Sequence, residues 1–417
     1  MPDRPPRPSA SDPSPASGAV PDAAGVPDGV RRLRLLQVAS LVSTCDRFAI
    51  APLLVLIAAD LDVSLGVTAG VAGGYFLAYG LMQAVWGVLS DRLGRVRVMR
   101  VALCGAAAAG LASALAPTVT VLLVARVVTG GCFAALIPAS LVYVGDTWPE
   151  KVRQRPLSDV LAASALGTAV ATAGAGLLAD LVGWRTVFGL TAAAGAVLFV
   201  ALRRLPEPTP STGPAAASGL VGALRPLGTV LADGWARIVL LLAFVEGVVV
   251  LAALTFLAPA LQSLGSSAGV AGLVSGGFGV GALVFSRLVR RLVGSVPPAG
   301  LAAVGGAFLV AAWAGPSVTV NLGTVLAAGI GLGGAWAFLH STLQTWATQV
   351  VPQARASAVA LFATVLFLGS AAGTALAAPL ADAGEFGSVF RVALVVAVPL
   401  VVAAALARWR YGRTSRA

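Results

Sequence analysis

The chain has 417 residues, of which 58% are hydrophobic and only 11% are charged. A water-soluble domain of this length needs far more charge to cover its surface, so the composition excludes an ordinary soluble protein. The formal net charge of +11 would favour nucleic-acid binding in a soluble chain. The placement of the basic residues, described below, argues against that function.

The N-terminal stretch is rich in Pro, Ser, Ala and Asp and contains no continuous apolar run. Such a composition cannot bury enough apolar surface to fold. It also lacks the apolar centre of a secretory signal peptide. We therefore predict a disordered cytoplasmic tail at residues 1–32.

Twelve apolar runs follow, each long enough to cross a membrane as a helix of roughly 20 residues. The runs are continuous and rich in Gly and Ala, which favours a close-packed helical bundle over a β-barrel. The sequence therefore predicts an all-α polytopic membrane protein. Its predicted spans are 35–59, 67–89, 96–116, 118–143, 157–180, 184–203, 237–261, 268–289, 297–315, 319–347, 355–380 and 387–408.

Basic residues are distributed unevenly among the loops. If the N-terminus is cytoplasmic, all but four of the 28 Lys and Arg residues lie on the cytoplasmic side. The exceptions are Arg185 and Arg391 on the opposite side and Arg47 and Arg126 within spans. The positive-inside rule then predicts a multi-pass protein with both termini in the cytoplasm. The preference for Arg over Lys suggests a bacterial genome, hence the inner (cytoplasmic) membrane, and no nucleic-acid partner is expected.

Two features divide the predicted spans into equal halves. The longest polar interruption, residues 205–236, has six spans on each side and is predicted to be a cytoplasmic linker. The stretch 177–188 resembles 379–390 at an offset of 202 residues, which indicates an internal duplication. Parallel duplicated halves with a substrate site between them are a known transporter plan. The predicted units are pseudo-symmetric six-helix bundles at 33–204 and 237–410, and a short cytoplasmic tail at 411–417.

The loop between spans 2 and 3 reads Gly87-Val-Leu-Ser-Asp91-Arg92-Leu-Gly94-Arg95. It resembles the signature loop of the major facilitator superfamily, Gly-x-Leu-x-Asp-Arg-x-Gly-Arg. The resemblance implies the major facilitator fold and a conformational latch on the cytoplasmic side. In that latch Gly87 permits a close helix crossing, and Asp91 lies at the positive N-terminus of span 11. Arg92 and Arg95 would bind carboxylates or helix C-termini, whereas the alternative is an ordinary basic loop.

Span 4 reads Leu122-Leu-Val-Ala-Arg126-Val-Val-Thr-Gly130, which is similar to a motif of proton-coupled members of the superfamily. An Arg within the bilayer is costly and needs a partner. Asp46 in span 1 is the nearest candidate, because both residues lie near mid-depth. We predict a proton-sensitive Asp46–Arg126 pair, with a static ion pair that only fixes packing as the alternative. Arg47 points about 100° away from Asp46 and would be a second partner or a substrate contact.

Two further ionisable residues lie within spans, Glu246 in span 7 and His340 in span 10. A carboxylate without a counter-charge in an apolar environment readily carries a proton, so Glu246 is predicted to bind a proton or a cationic substrate. His340 is able to exchange protons near neutral pH, although a lone His is more often a structural polar contact. Aromatic residues that would line a substrate cavity, or equally pack between helices, are Tyr75, Tyr79, Phe244 and Trp336.

Within the superfamily, the sequence resembles the bacterial 12-helix drug/proton antiporter group, although span 5 lacks the Gly-Pro pair usual there. The resemblance implies proton-coupled export of small amphipathic compounds by alternating access. Proton-coupled import of a small nutrient is the alternative. A small-molecule substrate, protons and the lipid bilayer are the expected partners, and a monomer is expected. Because no catalytic constellation, metal-ligand set or phosphate-binding loop is present, neither an enzyme activity nor a cofactor is expected.

Overall fold

The computed structural model describes residues 28–208 and 220–414. Within these residues, twelve helices are long and apolar enough to cross a membrane, and no β-strand is present. The predicted all-α polytopic fold is therefore confirmed. Spans 1 to 12 are Gly29–Asp60, Leu65–Leu93, Arg95–Ala114, Val119–Thr147, Gln154–Val182, Trp184–Arg204, Gly234–Gln262, Ala268–Leu292, Pro298–Val318, Leu322–Val350, Pro352–Asp382 and Phe386–Thr414.

Spans 1, 4, 7 and 10 each depart from regular α-helix along their length. Span 1 passes through the 3₁₀ turn Ala51–Leu53, and span 4 is interrupted between Phe133 and Leu136. Span 7 contains the π-helical segment Gly247–Ala252, and span 10 contains Trp336–His340. π-helical turns are rare and frequent at functional sites. These four spans also carry the ionisable residues Asp46, Arg126, Glu246 and His340.

The spans form two bundles of six, as predicted, which meet along two seams. Span 2 packs on span 11 along one seam, and span 5 packs on span 8 along the other. A Cβ atom added at Gly272 in span 8 would lie only 2.3 Å from the carbonyl oxygen of Thr172 in span 5. One added at Gly80 in span 2 would lie 2.9 Å from Cβ of Phe367 in span 11. Glycine thus permits the close backbone approach that joins the bundles.

The segments outside the bundles are only partly described. The predicted tail up to residue 27 lies outside the described residues, but span 1 begins at Gly29 because Leu33 and Leu36 pack into the core. The predicted linker contains the helix Leu220–Ala232, and its residues 209–219 lie outside the description. Span 12 continues to residue 414, beyond its predicted end.

Gly94 of the signature loop makes the turn between spans 2 and 3. Its φ of +100° lies in the region that favours glycine. A Cβ atom there would lie 2.6 Å from the carboxyl carbon of Glu207. That carboxylate accepts hydrogen bonds from the backbone N–H groups of Val96 and Arg97, both at 3.0 Å. Glu207 therefore satisfies the first turn of span 3, where backbone donors have no partner within the helix.

Candidate functional site

Asp46 and Arg126 form a buried ion pair in the first bundle, as their predicted depths indicated. Two guanidinium nitrogens of Arg126 donate to the two carboxylate oxygens of Asp46, each at 2.9 Å. One of them also donates to the backbone oxygen of Asp46 at 3.0 Å. Thr191 in span 6 donates its hydroxyl to the same carboxylate at 2.8 Å. Both charged side chains have 0% exposure, so the pair ties spans 1, 4 and 6 together without contact with water.

Aromatic rings enclose this ion pair. The guanidinium carbon of Arg126 lies 4.6 Å from the ring centroid of Tyr75 and 4.4 Å from that of Phe188. Tyr75 is only 1% exposed and stacks on Tyr79, with ring centroids 6.1 Å apart. Tyr75 therefore lies within the first bundle, and the expectation that it lines a cavity is wrong for this structure. The rings stabilise the cation and keep water away from the pair, which strengthens its electrostatic attraction.

Glu246 and His340 form a second buried pair, in the second bundle. The Nδ1 atom of His340 lies 3.1 Å from Oε2 of Glu246. The other carboxylate oxygen, Oε1, is buried and has no hydrogen-bond partner in the described chain. The imidazole stacks on Trp336, with ring centroids 3.6 Å apart. The pairing of Glu246 with His340 was not predicted from the sequence, because the two residues are 94 positions apart and a His does not carry a fixed charge.

The Glu246–His340 pair has a charge that depends on one proton. With a neutral imidazole the pair carries the negative charge of Glu246, and binding of one proton makes it neutral overall. Each residue adjoins or belongs to a π-helical segment, Gly247–Ala252 or Trp336–His340. A change in the charge of this pair would therefore occur where the helix geometry is irregular.

Arg47 lies at the boundary between the bundles. It points away from Asp46, as helical geometry predicts, and its guanidinium carbon lies 4.9 Å from the ring centroids of Phe48 and Tyr79. It also lies 5.5 Å from the ring of Phe367, which belongs to span 11 in the second bundle. Arg47 is therefore no second partner of the Asp46 carboxylate, and its side chain faces the other half of the protein.

Phe244 and Trp336 have different surroundings, although both are half-buried. Trp336 stacks on His340 and contacts Phe278 of span 8 with an edge-on ring, the centroids being 6.0 Å apart. The backbone of Phe244 lies so close to Gly369 of span 11 that an added Cβ would approach its carbonyl oxygen to 1.9 Å. Trp336 thus supports the titratable pair, while Phe244 belongs to the tight contact of spans 7 and 11.

The signature loop does not make the contact with span 11 that was expected. The side chain of Asp91 is 63% exposed and pairs with Arg95. Arg95 also donates its Nε to Asp146 at 3.1 Å, so its carboxylate partners belong to the first bundle. A Cβ atom added at Gly87 would meet no atom within 4 Å, which contradicts the predicted close crossing. Neither contact is present in this structure, in which aspartates on the opposite side join the bundles. The latch stays a prediction for a state in which the cytoplasmic side is closed.

Two aspartates join the bundles on the side opposite the signature loop. Asp180, near the end of span 5, accepts hydrogen bonds from the N–H groups of Ala268 at 3.1 Å and Gly269 at 2.8 Å, in the first turn of span 8. Asp382, at the end of span 11, accepts from the N–H of Gly66 in the first turn of span 2. The two aspartates occupy equivalent positions of the 177–188 and 379–390 repeat. The repeat indicated a duplication, but it did not indicate that these aspartates bind helix N-termini of the other bundle.

Two six-helix bundles, each with a buried ionisable pair and joined by aspartates on the side opposite the signature loop, are the arrangement of a membrane transporter. Residues 36–374 match the Major Facilitator Superfamily. The chain belongs to that family, and it is a multi-pass membrane protein.

Curated relatives of the chain are bacterial transporters and resistance proteins. A triacylglyceride transporter of Mycolicibacterium smegmatis is 31% identical over 134 residues, which cover 31% of this chain and 24% of that one. A probable actinorhodin transporter of Streptomyces coelicolor is 32% identical over 203 residues, 46% of this chain and 35% of that one. A methylenomycin A resistance protein of the same species is 31% identical over 178 residues, 41% of this chain and 36% of that one. The chain thus spans little more than a third of these relatives at most.

Solved structures support the fold. A bacterial homologue of the human lysosomal transporter Spinster, in an inward-facing and unoccupied conformation, superimposes with a TM-score of 0.73 at 19% identity. The match covers 91% of this chain and 96% of that one. At this identity, the likeness concerns the arrangement of the helices.

Removal of one member of the first ion pair is expected to be more damaging than removal of both. Arg126→Gln leaves the Asp46 carboxylate buried without its counter-charge, which costs about 3–5 kcal/mol. Combining it with Asp46→Asn removes both charges and is expected to recover most of that loss. Thermal unfolding of the single and double variants in detergent, followed by size-exclusion chromatography, measures the difference. A double variant that is as unstable as the sum of both single variants would contradict a stabilising pair.

Proposed function

We propose that this protein exports small amphipathic compounds in exchange for protons, by alternating access of a cavity between the two bundles. The observation that carries this proposal is the Glu246–His340 pair. Ionisable residues inside a membrane protein are costly and mark ion or substrate pathways. This pair is buried, has an unsatisfied carboxylate oxygen and changes its charge with one proton, as a coupling site requires.

The Asp46–Arg126 pair is the second candidate for proton coupling. Protonation of Asp46 would remove the attraction that fixes Arg126 and would weaken the tie between spans 1, 4 and 6. The motif around Arg126 favours this role, since proton-coupled members of the superfamily share it. The Asp46 carboxylate accepts three hydrogen bonds, whereas Oε1 of Glu246 has no partner in the described chain, so we assign primary proton carriage to Glu246 and a supporting role to Asp46.

Export of amphipathic compounds is supported by the relatives and by the cavity. One relative is a resistance protein and another is a probable actinorhodin transporter, and both names concern small molecules. The cavity between the bundles is lined mainly by apolar side chains, including Phe76 and Leu251, and by the cation Arg47. The cavity has a volume of about 10 Å³ in this structure, room for about one water molecule, so a compound with a large apolar body and a polar group would meet this lining only after the bundles separate.

The placement of the aspartates at helix N-termini supports alternating access. In this structure Asp180 and Asp382 bind the N-termini of spans 8 and 2 and close the side opposite the signature loop. Asp91 lies free of span 11 on the other side, which we propose is cytoplasmic. In the reverse state, the two outer contacts would break and Asp91 would reach the N-terminus of span 11. The same interaction, a carboxylate on backbone N–H groups, would then close either side in turn.

Transport in liposomes tests the proposed function. With an acidic lumen, the purified protein is expected to accumulate members of a panel of amphipathic fluorescent compounds from the neutral bath. Glu246→Gln is expected to reduce gradient-driven accumulation to the level of empty liposomes, because the amide carries no exchangeable charge. Glu150→Gln, which changes an exposed carboxylate, is the matched control and is expected to retain wild-type accumulation.

Accumulation by Glu246→Gln at the wild-type rate would contradict the role of that carboxylate. Accumulation only under a gradient of the opposite direction would indicate proton-coupled import in place of export. Failure of every compound in both directions would overturn the proposed function.

The two outer aspartates are expected to set the balance between the states. A charged group at a helix N-terminus contributes on the order of 1 kcal/mol, so Asp180→Asn together with Asp382→Asn should raise the outward-open to closed ratio roughly 30-fold. Spin labels at Asp62 and Glu385, which lie in outer loops of different bundles, report the opening as a longer distance between labels. An unchanged distance distribution in the double variant would show that these contacts do not hold the outer side closed.

A further inference from the structure

The positive charge of Arg47 has no counter-charge among the described residues. No carboxylate there lies within ion-pairing distance of its guanidinium group. Its Nε is buried and makes no hydrogen bond. By contrast, Asp46 is neutralised by Arg126, and Glu246 pairs with His340. A cation retained inside a membrane protein without a protein partner indicates a partner that is not part of the described chain.

Aromatic rings stabilise Arg47 only in part. The rings of Phe48, Tyr79 and Phe367 lie around its guanidinium carbon at 4.9, 4.9 and 5.5 Å. Such contacts favour the cation by attraction to the ring faces, but they supply no hydrogen-bond acceptor. The rings hold the planar guanidinium group of Arg47 in place, so its N–H groups are preorganised to bind an acceptor.

A second unsatisfied donor lies in the same cavity. Ser275 of span 8 is only 2% exposed, and its hydroxyl makes no hydrogen bond in the described chain. Ser275 and Arg47 both line the cavity between the bundles. The lining contains no carboxylate, and its remaining surface is mostly apolar, with Phe48, Phe76 and Leu251 among its members. The cavity has room for only about one water molecule in this structure, so the two donors, one of them charged, would form a site for an anionic oxygen group once the bundles separate.

We infer that the compound carried by this protein is an amphipathic anion, whose carboxylate or similar oxyanion binds Arg47 and Ser275. Its apolar body lies against Phe48, Phe76 and the aliphatic residues of span 7. Because Arg47 belongs to the first bundle and Ser275 to the second, a bound anion contacts both halves. This inference rests on the proposed function, since it assigns the class of compound that the cavity takes.

A matched set of probes tests the inference. Pyrenebutanoate, pyrenebutanol and pyrenebutylamine share one apolar body and differ in the charge of the head group. Quenching of tryptophan fluorescence measures their binding to the purified protein in detergent, with partition into protein-free micelles measured separately. The wild type is expected to bind the carboxylate at least about 10-fold more tightly than the alcohol or the amine, as for a hydrogen bond to a charged group.

Variants assign that preference to the two donors. Arg47→Gln is expected to abolish the preference for the carboxylate over the alcohol and the amine. Arg47→Lys keeps the charge without the planar fork and should retain a reduced preference. Ser275→Ala is expected to weaken carboxylate binding by a smaller factor, about 3-fold. Arg290→Gln, which removes an exposed Arg of span 8 outside the cavity, is the control and should match the wild type.

Equal binding of the three probes, tighter binding of the amine, no binding of any probe, or a preference that persists in Arg47→Gln would each overturn the inference. These results are distinguishable from failure of the proposed function. Gradient-driven transport of an amine or alcohol but not of anions would leave proton-coupled export intact and contradict the anion site. Selective carboxylate binding without any transport would leave the site intact and contradict export.

Discussion

The architecture depends on one physical constraint, the cost of leaving a charge without a partner inside a membrane protein. In the first bundle, Asp46 and Arg126 meet this constraint by pairing with each other, with Thr191 and two aromatic rings around them. The pair fixes the register of span 1 against spans 4 and 6. Since helical geometry turns consecutive side chains by about 100°, fixing Asp46 inward directs Arg47 toward the second bundle. The position of the cavity cation thus follows from the neighbouring ion pair.

The second bundle meets the same constraint only in part. Span 11 packs beside the residues involved. Glu246 shares one bond with His340 and leaves one oxygen unsatisfied. The next residue, Gly247, packs so closely on span 11 that an added Cβ would lie 1.9 Å from the carbonyl oxygen of Leu366. Span 11 also carries Phe367, beside Arg47, and Asp382, which binds the N-terminus of span 2. The buried carboxylate, the cavity and this contact between the bundles therefore all involve one helix, which is a physical basis for coupling them.

Hydrophobic length and the repeat were sufficient to predict the fold, because spanning helices have a strong and local signal. The approach of Asp46 to Arg126 was predictable from depth alone, since few positions in a bilayer accept a charge. The pairing of Glu246 with His340 was not, because it depends on how spans 7 and 10 pack and on helix irregularities that leave no trace in composition. The predicted contact of Asp91 with span 11 is absent from this structure, and the sequence alone does not specify how the two bundles are placed relative to each other. The contacts of Asp180 and Asp382 with the N-termini of spans 8 and 2 were not predicted, because they too depend on how the two bundles are placed.

The central claim is that binding of the transported compound and titration of the buried carboxylates are linked. The most direct measurement is the number of protons released or taken up when a transported compound is added to the purified protein in weakly buffered detergent solution. The account predicts a proton exchange with the wild type that is lost in Glu246→Gln and reduced in Asp46→Asn, with binding of the compound retained. Compound binding without any proton exchange in the wild type, or the same exchange in Glu246→Gln, would contradict it.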